Sequence, residues 1–234
     1  MTSDPLNDAL KRGLGFHKSS RLDEALTWYR AAIAIDPDDA EANSLLGLAL
    51  AHSGRGDEGV AYLRRAIELE PGQVPFRFNL VQGLLAAGEH AAAISELHVI
   101  LSREPSNFLA WELAGDAARA QGDTEGAVGA WNRARQADPT ATGPAIKLAM
   151  LELERSRFDA ALAVLDPVAT AAAANEQIYD LWCQALTGLE DWRALRATAA
   201  SWLDSHPGSA AALRNVARAE SHLSRGRGND RPTG

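Results

Sequence analysis

The sequence predicts an all-helical solenoid of six 34-residue helix-turn-helix units followed by a C-terminal capping helix, and three observations predict it. Apolar residues recur three or four apart, as in Leu45, Leu46, Leu48, Ala49 and Leu50 and again in Val60, Leu63, Ala66, Ile67 and Leu69, which is the helical period. Short breakers such as Ser53-Gly54-Arg55-Gly56-Asp57 separate the paired runs, and Pro71-Gly72 closes the unit, because proline lacks the amide a continuing helix needs. Pro37, Pro71, Pro105 and Pro139 then follow one another at intervals of 34 residues, with Pro207 two intervals further on. A single hairpin cannot bury its apolar stripe alone, so the units have to stack on one another.

Asp4-Pro5 reads as an N-cap with proline in the first helical turn, so residues 1–5 are expected to be frayed and the first unit to run over 6–39. Arg12 stands where an apolar residue is usual, a polar substitution suited to the uncovered face of an end unit. Units 40–73, 74–107 and 108–141 are the most regular. In unit 142–175, Pro167 falls inside the second helix and Ala173 replaces the closing proline, which predicts a kink or break near Asp166. Unit 176–209 exchanges sizes, with Ala199 small where other units are bulky and Leu195 and Trp202 large where most are small. Residues 210–224 form an amphipathic pattern with Leu213, Val216, Ala217 and Leu223 on one face. It reads either as a capping helix or as the first half of a seventh unit. The tail, 225–234, is expected to be disordered.

Three positions repeat in step. The eighth residue of each unit is Gly13, Gly47, Val81, Gly115, Ala149 and Cys183, and the twentieth is Ala25, Gly59, Ala93, Ala127, Ala161 and Leu195. The twenty-fourth is Tyr29, Leu63, Leu97, Trp131, Leu165 and Ala199. This spacing of small residue, bulky residue and proline resembles that of tetratricopeptide repeats. The resemblance implies a right-handed solenoid whose first helices line a concave groove, and it implies protein binding without naming a partner.

Composition fits the same reading. A chain of 234 residues is long for one core, but a solenoid grows by addition. With 46% hydrophobic and 6% aromatic residues, the core must be mostly Ala and Leu. The formal charge of −8 disfavours nucleic acid and anionic membranes, and one cysteine excludes a disulfide within the chain. No apolar run is long enough for a signal core or a membrane span, so a cytoplasmic location is expected.

Several motifs carry a chemical reading beside a structural one. Gly54-Arg55-Gly56-Asp57-Glu58-Gly59 matches GxGxxG, but a helix rather than a strand precedes it, and Gly59 holds the small-residue position. Asp36-Pro37-Asp38-Asp39 would attract a cation, yet it is also an ordinary acidic inter-repeat turn. No two of His17, His52, His90, His98, His206 and His222 are spaced three or four apart, although His17 and His52 fall near the ends of adjacent first helices. Cys183 sits at a packing position and reads as buried. No serine lies in a GxSxG context. No cofactor, metal or catalytic activity is expected.

By the resemblance, the second, fifth and ninth residues of each first helix point into the groove. The fifth and ninth are Leu10 and Leu14, Ser44 and Leu48, Phe78 and Gln82, Glu112 and Asp116, Ile146 and Met150, and Asp180 and Gln184. Apolar groups crowd the first half and acids the second, which suits a peptide with an apolar anchor and nearby Lys or Arg. The lysine, asparagine and arginine set that holds chaperone C-termini is absent from these positions, and Asn79 alone does not make the asparagine ladder of repeats fused to sugar transferases. The function expected is an interaction scaffold. The alternative is a regulatory or substrate-recruiting segment of a bacterial sulfotransferase or glycosyltransferase whose catalytic part is absent. Assembly into a homo-oligomer is a third reading, dependent on apolar surface left open at an end unit.

Overall fold

The computed structural model describes residues 4–169 and 175–228, with side chains up to residue 225. Among the described residues there are thirteen helices and no strand. In chain order they are α1 (Pro5–Lys18), α2 (Leu22–Ile35), α3 (Ala40–His52), α4 (Gly56–Leu69), α5 (Val74–Ala86), α6 (His90–Arg103) and α7 (Phe108–Ala120). There follow α8 (Thr124–Ala137), α9 (Thr142–Glu154), α10 (Phe158–Leu165), α11 (Glu176–Gly188), α12 (Trp192–Ser205) and α13 (Ala210–Gly228). The second helices all start at the same 34-residue interval, so the repeat length read from the prolines is the repeat length of the fold. The chain divides into two compact units, residues 1–130 and 131–234, with the border inside α8.

The hairpin turns explain why the interval is kept. Two residues beyond the end of each first helix stands a residue in the left-handed region: Ser20, Gly54, Gly88, Gly122, Ser156 and Glu190. The next amide in every case donates back across the turn, Arg21 to the Phe16 carbonyl, Arg55 to Leu50, Glu89 to Leu84, Asp123 to Ala118, Arg157 to Glu152 and Asp191 to Leu186. This closure satisfies carbonyls that a helix end would otherwise leave open, and the left-handed residue is what makes it sterically feasible. Three turns use glycine, which adopts that conformation freely; the other three use Ser or Glu at a conformational penalty. Between repeats, side chains cap the next helix: Asp39 accepts from the Ala42 amide at 2.7 Å and Asn107 from Ala110 at 3.0 Å.

All residues at the eighth, twentieth and twenty-fourth positions are buried. Gly47 shows why the eighth must be small: a β-carbon there would lie 2.6 Å from Leu63 Cγ and 2.8 Å from the Gly59 carbonyl oxygen. In the unit of residues 1–130, one cluster joins Leu10, Leu26, Tyr29, Leu46 and Leu50, and another joins Val60, Leu63, Leu84, Leu97 and Ile100. In the unit of residues 131–234, a single cluster runs from Ala145 to Ala219 through Leu165, Ile178 and Trp202. Each fully buried Leu or Ile contributes on the order of 1.5 to 3 kcal/mol.

Departures from the repeat fall at the marked places. α10 stops at Leu165 and a short 3₁₀ turn covers 166–169, as a proline at 167 requires. Ala173 lies outside the described residues. In the sixth repeat Leu195, Ala199 and Trp202 are all buried, Trp202 stacking on Tyr179 with ring centroids 5.8 Å apart and donating from Nε1 to Glu176 Oε2 at 2.9 Å. Arg12 is exposed, its guanidinium 4.8 Å above the Trp28 ring.

At the N-terminus Asp4 caps α1, its carboxylate accepting from the Leu6 amide at 3.1 Å, and Pro5 takes the first helical position as the Asp4-Pro5 pair predicts, so the frayed end expected over 1–5 does not include Pro5. At the other end α13 runs to Gly228 rather than stopping at Ser224; residues 1–3 and 229–234 lie outside the described residues. The expected buried face of α13 holds only in part, at Val216, which packs against the cluster, and at half-buried Leu223. The helix buries Ala212 and Ala219 and leaves Leu213 55% exposed and Ala217 exposed. The register accounts for this: α13 starts one repeat interval after α11, so Ala212 and Ala219 meet the preceding repeat. Leu213 and Ala217 occupy the places that, in the six complete repeats, face the repeat's own second helix.

Candidate interaction surface

Within residues 1–130, the expected groove residues fall into two sets. Leu10 and Ser44 are buried, Leu10 in the first cluster and Ser44 accepting a hydrogen bond from Asn79 Nδ2 at 2.8 Å. That bond ties α3 to α5 across a repeat boundary. Leu14 is 37% exposed, Leu48 and Phe78 are half-buried, and Gln82 is exposed. Phe78 also packs against the second cluster, so its ring is partly core. Glu112 and Asp116 are half-buried on α7. The apolar surface that a partner could reach here is Leu14, Leu48 and the outer part of Phe78.

Within residues 131–234, Ile146 is buried in the core, whereas Met150 is 43% exposed. Met150, Asp180 and Gln184 come together, with Leu153, Glu154, Gln177 and Leu181, around an open cavity of about 420 Å³. Its apolar residues are Met150, Leu153 and Leu181, and its carboxylates are Asp180 and Glu154. Gln184 Nε2 donates to Asp180 Oδ2 at 2.7 Å, and Gln177 Nε2 lies 3.8 Å from Met150 Sδ. Fifth and ninth positions alone do not reach Leu153, Glu154, Gln177 and Leu181. Gln177 is a second-position residue, and Leu153 and Glu154 close the preceding first helix, so the repeat register does carry a signal for them.

The other motifs resolve into packing and capping. Gly59 approaches the Gly47 carbonyl, and Gly54 makes a left-handed turn. Of the acidic turn, Asp36 accepts from the Asp38 amide, Asp38 pairs with Arg65 at 2.8 Å, and Asp39 caps α3. Cys183 is buried, and burial, with Asp180 nearby, pushes its thiol up to about 12, so it is not a thiolate at neutral pH. Among the described residues, no group of three or more His, Cys, Asp or Glu side chains is arranged to hold a metal ion, and no helix is long and apolar enough to cross a membrane.

His17 and His52 do meet. His17 Nε2 lies 2.9 Å from His52 Nδ1, Tyr29 Oη lies 3.4 Å from His17 Nδ1, and His52 Nε2 lies 3.3 Å from Gln82 Oε1. Burial and then the neighbouring His52 lower the proton affinity of His17. Burial, with Glu41 adding to it, pushes the Tyr29 hydroxyl up to about 12.

A TPR repeat model matches residues 13–54, and tetratricopeptide repeat models match 40–73 and 78–142, together more than half of the chain. No curated protein matches the sequence. Among solved structures, the pilF protein of Pseudomonas aeruginosa superposes with a TM-score of 0.69 at 17% identity, covering 92% of this chain and 97% of that one. PilW, a widely conserved type IV pilus biogenesis factor, gives 0.69 at 15% identity over 91% and 99%. MamA from Desulfovibrio magneticus RS-1, from residue 41 to its end, gives 0.59 at 19% identity over 77% and 97%. At such identities the likeness is one of fold.

Proposed function

We propose, from the premise that this chain belongs to the tetratricopeptide repeat family and is a protein-interaction scaffold, that it binds a protein or peptide segment along its first helices. The segment recognised has an apolar anchor flanked by Lys or Arg. The observation that carries this reading is the cavity bounded by Met150, Leu153 and Leu181, with the carboxylates of Asp180 and Glu154 beside them. An apolar side chain entering there loses its water while a neighbouring cation faces the acids. In residues 1–130 the same chemistry is offered by Leu14, Leu48 and Phe78, with Glu112 and Asp116 further along. Apolar burial supplies most of the affinity, and the acids, screened by salt, supply orientation and association rate. The role is one of binding without catalysis.

Selection of a random peptide library on the full chain tests this. Enrichment of apolar residues next to Lys or Arg is expected; enrichment of acidic peptides, or none, contradicts it. Phe78→Ala should weaken a peptide selected on residues 1–130 by about 1 to 3 kcal/mol. Glu112→Gln with Asp116→Asn should mainly reduce the salt dependence of the same peptide. Because the Phe78 ring also touches the core, circular dichroism melts accompany the binding curves. Unchanged affinity in Phe78→Ala removes that ring from the surface.

A further inference from the structure

The sequence spacing of the histidines places no two on one helix face, but the repeat brings together one from each of two consecutive units. His17 and His52, 35 residues apart, face each other through Nε2 and Nδ1 at 2.9 Å, with ring planes 75° apart. Their outer nitrogens are already engaged, His17 Nδ1 by the buried Tyr29 hydroxyl and His52 Nε2 by the Gln82 amide. With the Gln82 oxygen toward His52, the tautomers follow. An amide oxygen only accepts, so His52 carries its proton on Nε2 and offers a lone pair at Nδ1. His17 then donates from Nε2 and accepts from Tyr29 at Nδ1. This pattern of bonds requires no charge on either ring, and the neutral imidazole is the form that ligates metal.

We propose that this pair is a copper(II) site, held by His17 Nε2 and His52 Nδ1 with solvent completing a tetragonal coordination. The proposal is independent of the peptide-binding reading above. Metal-imidazole bonds of about 2.0 Å at adjacent corners of a square put the two nitrogens about 2.8 Å apart, and the pair is spaced accordingly. The rings must turn so that their lone pairs converge beside the line joining them, and His52, which is exposed and held, among the described residues, only by His17 and the exposed Gln82 side chain, has room to do so. On binding, the His17 proton leaves Nε2 and returns from solvent to Nδ1, so the ring stays neutral and no net proton is released. Tyr29 changes from donor to acceptor, and His52 keeps its tautomer. Each ligating imidazole then donates its outer N–H to an oxygen, Tyr29 Oη or Gln82 Oε1, the arrangement that fixes ring orientation at metal sites.

Titration of the full-length chain, free of any affinity tag, with copper(II) chloride at pH 7.5 tests the site. The readouts are electron paramagnetic resonance for the number of coordinated imidazole nitrogens and chelator competition for affinity. One high-affinity copper with two imidazole nitrogens is expected, zinc binding more weakly. His17→Gln and His52→Gln should each lose one nitrogen and at least tenfold in affinity. Tyr29→Phe, which keeps the ring in the core, should lose about tenfold with both nitrogens retained, and His98→Gln should change nothing. His52 is exposed, so its variant reports on the site even if His17→Gln disturbs folding. A wild-type spectrum with fewer than two imidazole nitrogens, or a His52→Gln chain that binds copper as the wild type does, overturns the proposal.

Discussion

The second repeat, residues 40–73, and the fifth, residues 142–175, share a first helix of 13 residues but differ in the second, which has 14 residues in α4 and 8 in α10. In α4 the buried residues are Gly56, Gly59, Val60, Leu63 and Ala66. The fifth repeat buries Ala161, Leu165 and Val168 at the places of Gly59, Leu63 and Ala66, although the α-helix has ended before Val168, and half-buries Phe158 and Leu162 at the other two. Burial at three spaced positions therefore holds a repeat in the stack, and an unbroken second helix is not required. Because the break lies on a second helix, α9 and α11 keep full length, and with them the residues that border the cavity.

Leucine-to-alanine substitution at the same position of the two repeats gives the largest effect. Leu63→Ala and Leu165→Ala should each destabilise by about 2 to 5 kcal/mol, since both side chains are wholly buried. Urea denaturation midpoints should move by similar amounts. A near-silent Leu165→Ala would show that the shortened helix is not packed as its counterpart is. Overpacking comes next: Gly47→Leu forces a side chain against Leu63 and the Gly59 carbonyl and should destabilise by about 1 to 3 kcal/mol, read by the same titration. The turns give smaller shifts of opposite sign. Gly88→Ala, at a φ of 76°, should lower stability by about 1 kcal/mol, whereas Glu190→Gly, at a φ of 57°, should raise it by up to about 1 kcal/mol. Thermal melts of these two variants would order the turns by strain. The smallest effect is expected of Pro167→Ala, which restores an amide beyond Leu165 and should raise the helical circular dichroism signal with little change in melting temperature.

The fold was legible because its determinants are local and repeated. Proline spacing set the period, Gly47 and Leu63 marked the contact between α3 and α4, and Pro167 marked the break. The left-handed turns at Ser20, Ser156 and Glu190 were hidden because only glycine advertises that conformation. The buried face of α13 was legible at Val216 but not at Leu213 and Ala217, because amphipathic spacing cannot distinguish a face meeting the preceding repeat from one that would meet a second helix; Ala212 and Leu213 are neighbours in sequence with opposite fates. The fifth and ninth positions named Met150, Asp180 and Gln184, which border one cavity, together with Ile146, which faces the core, because a position in the repeat does not say how far a side chain is covered by its neighbours. The His17–His52 contact depends on residues one repeat apart meeting across two helices, which no spacing rule for a single helix contains.

Amide hydrogen exchange, read by mass spectrometry on the free full-length chain, tests most directly whether three buried positions suffice to hold the fifth repeat. Exchange at residues 158–165 should be slowed to a degree comparable with 56–63, because Ala161 and Leu165 are buried as Gly59 and Leu63 are, while Phe158 and Leu162 pack half-buried at the places of the buried Gly56 and Val60. Fast exchange over 158–165, at the rate of the hairpin turns, would mean that the break at Pro167 unravels the whole second helix and would contradict the account.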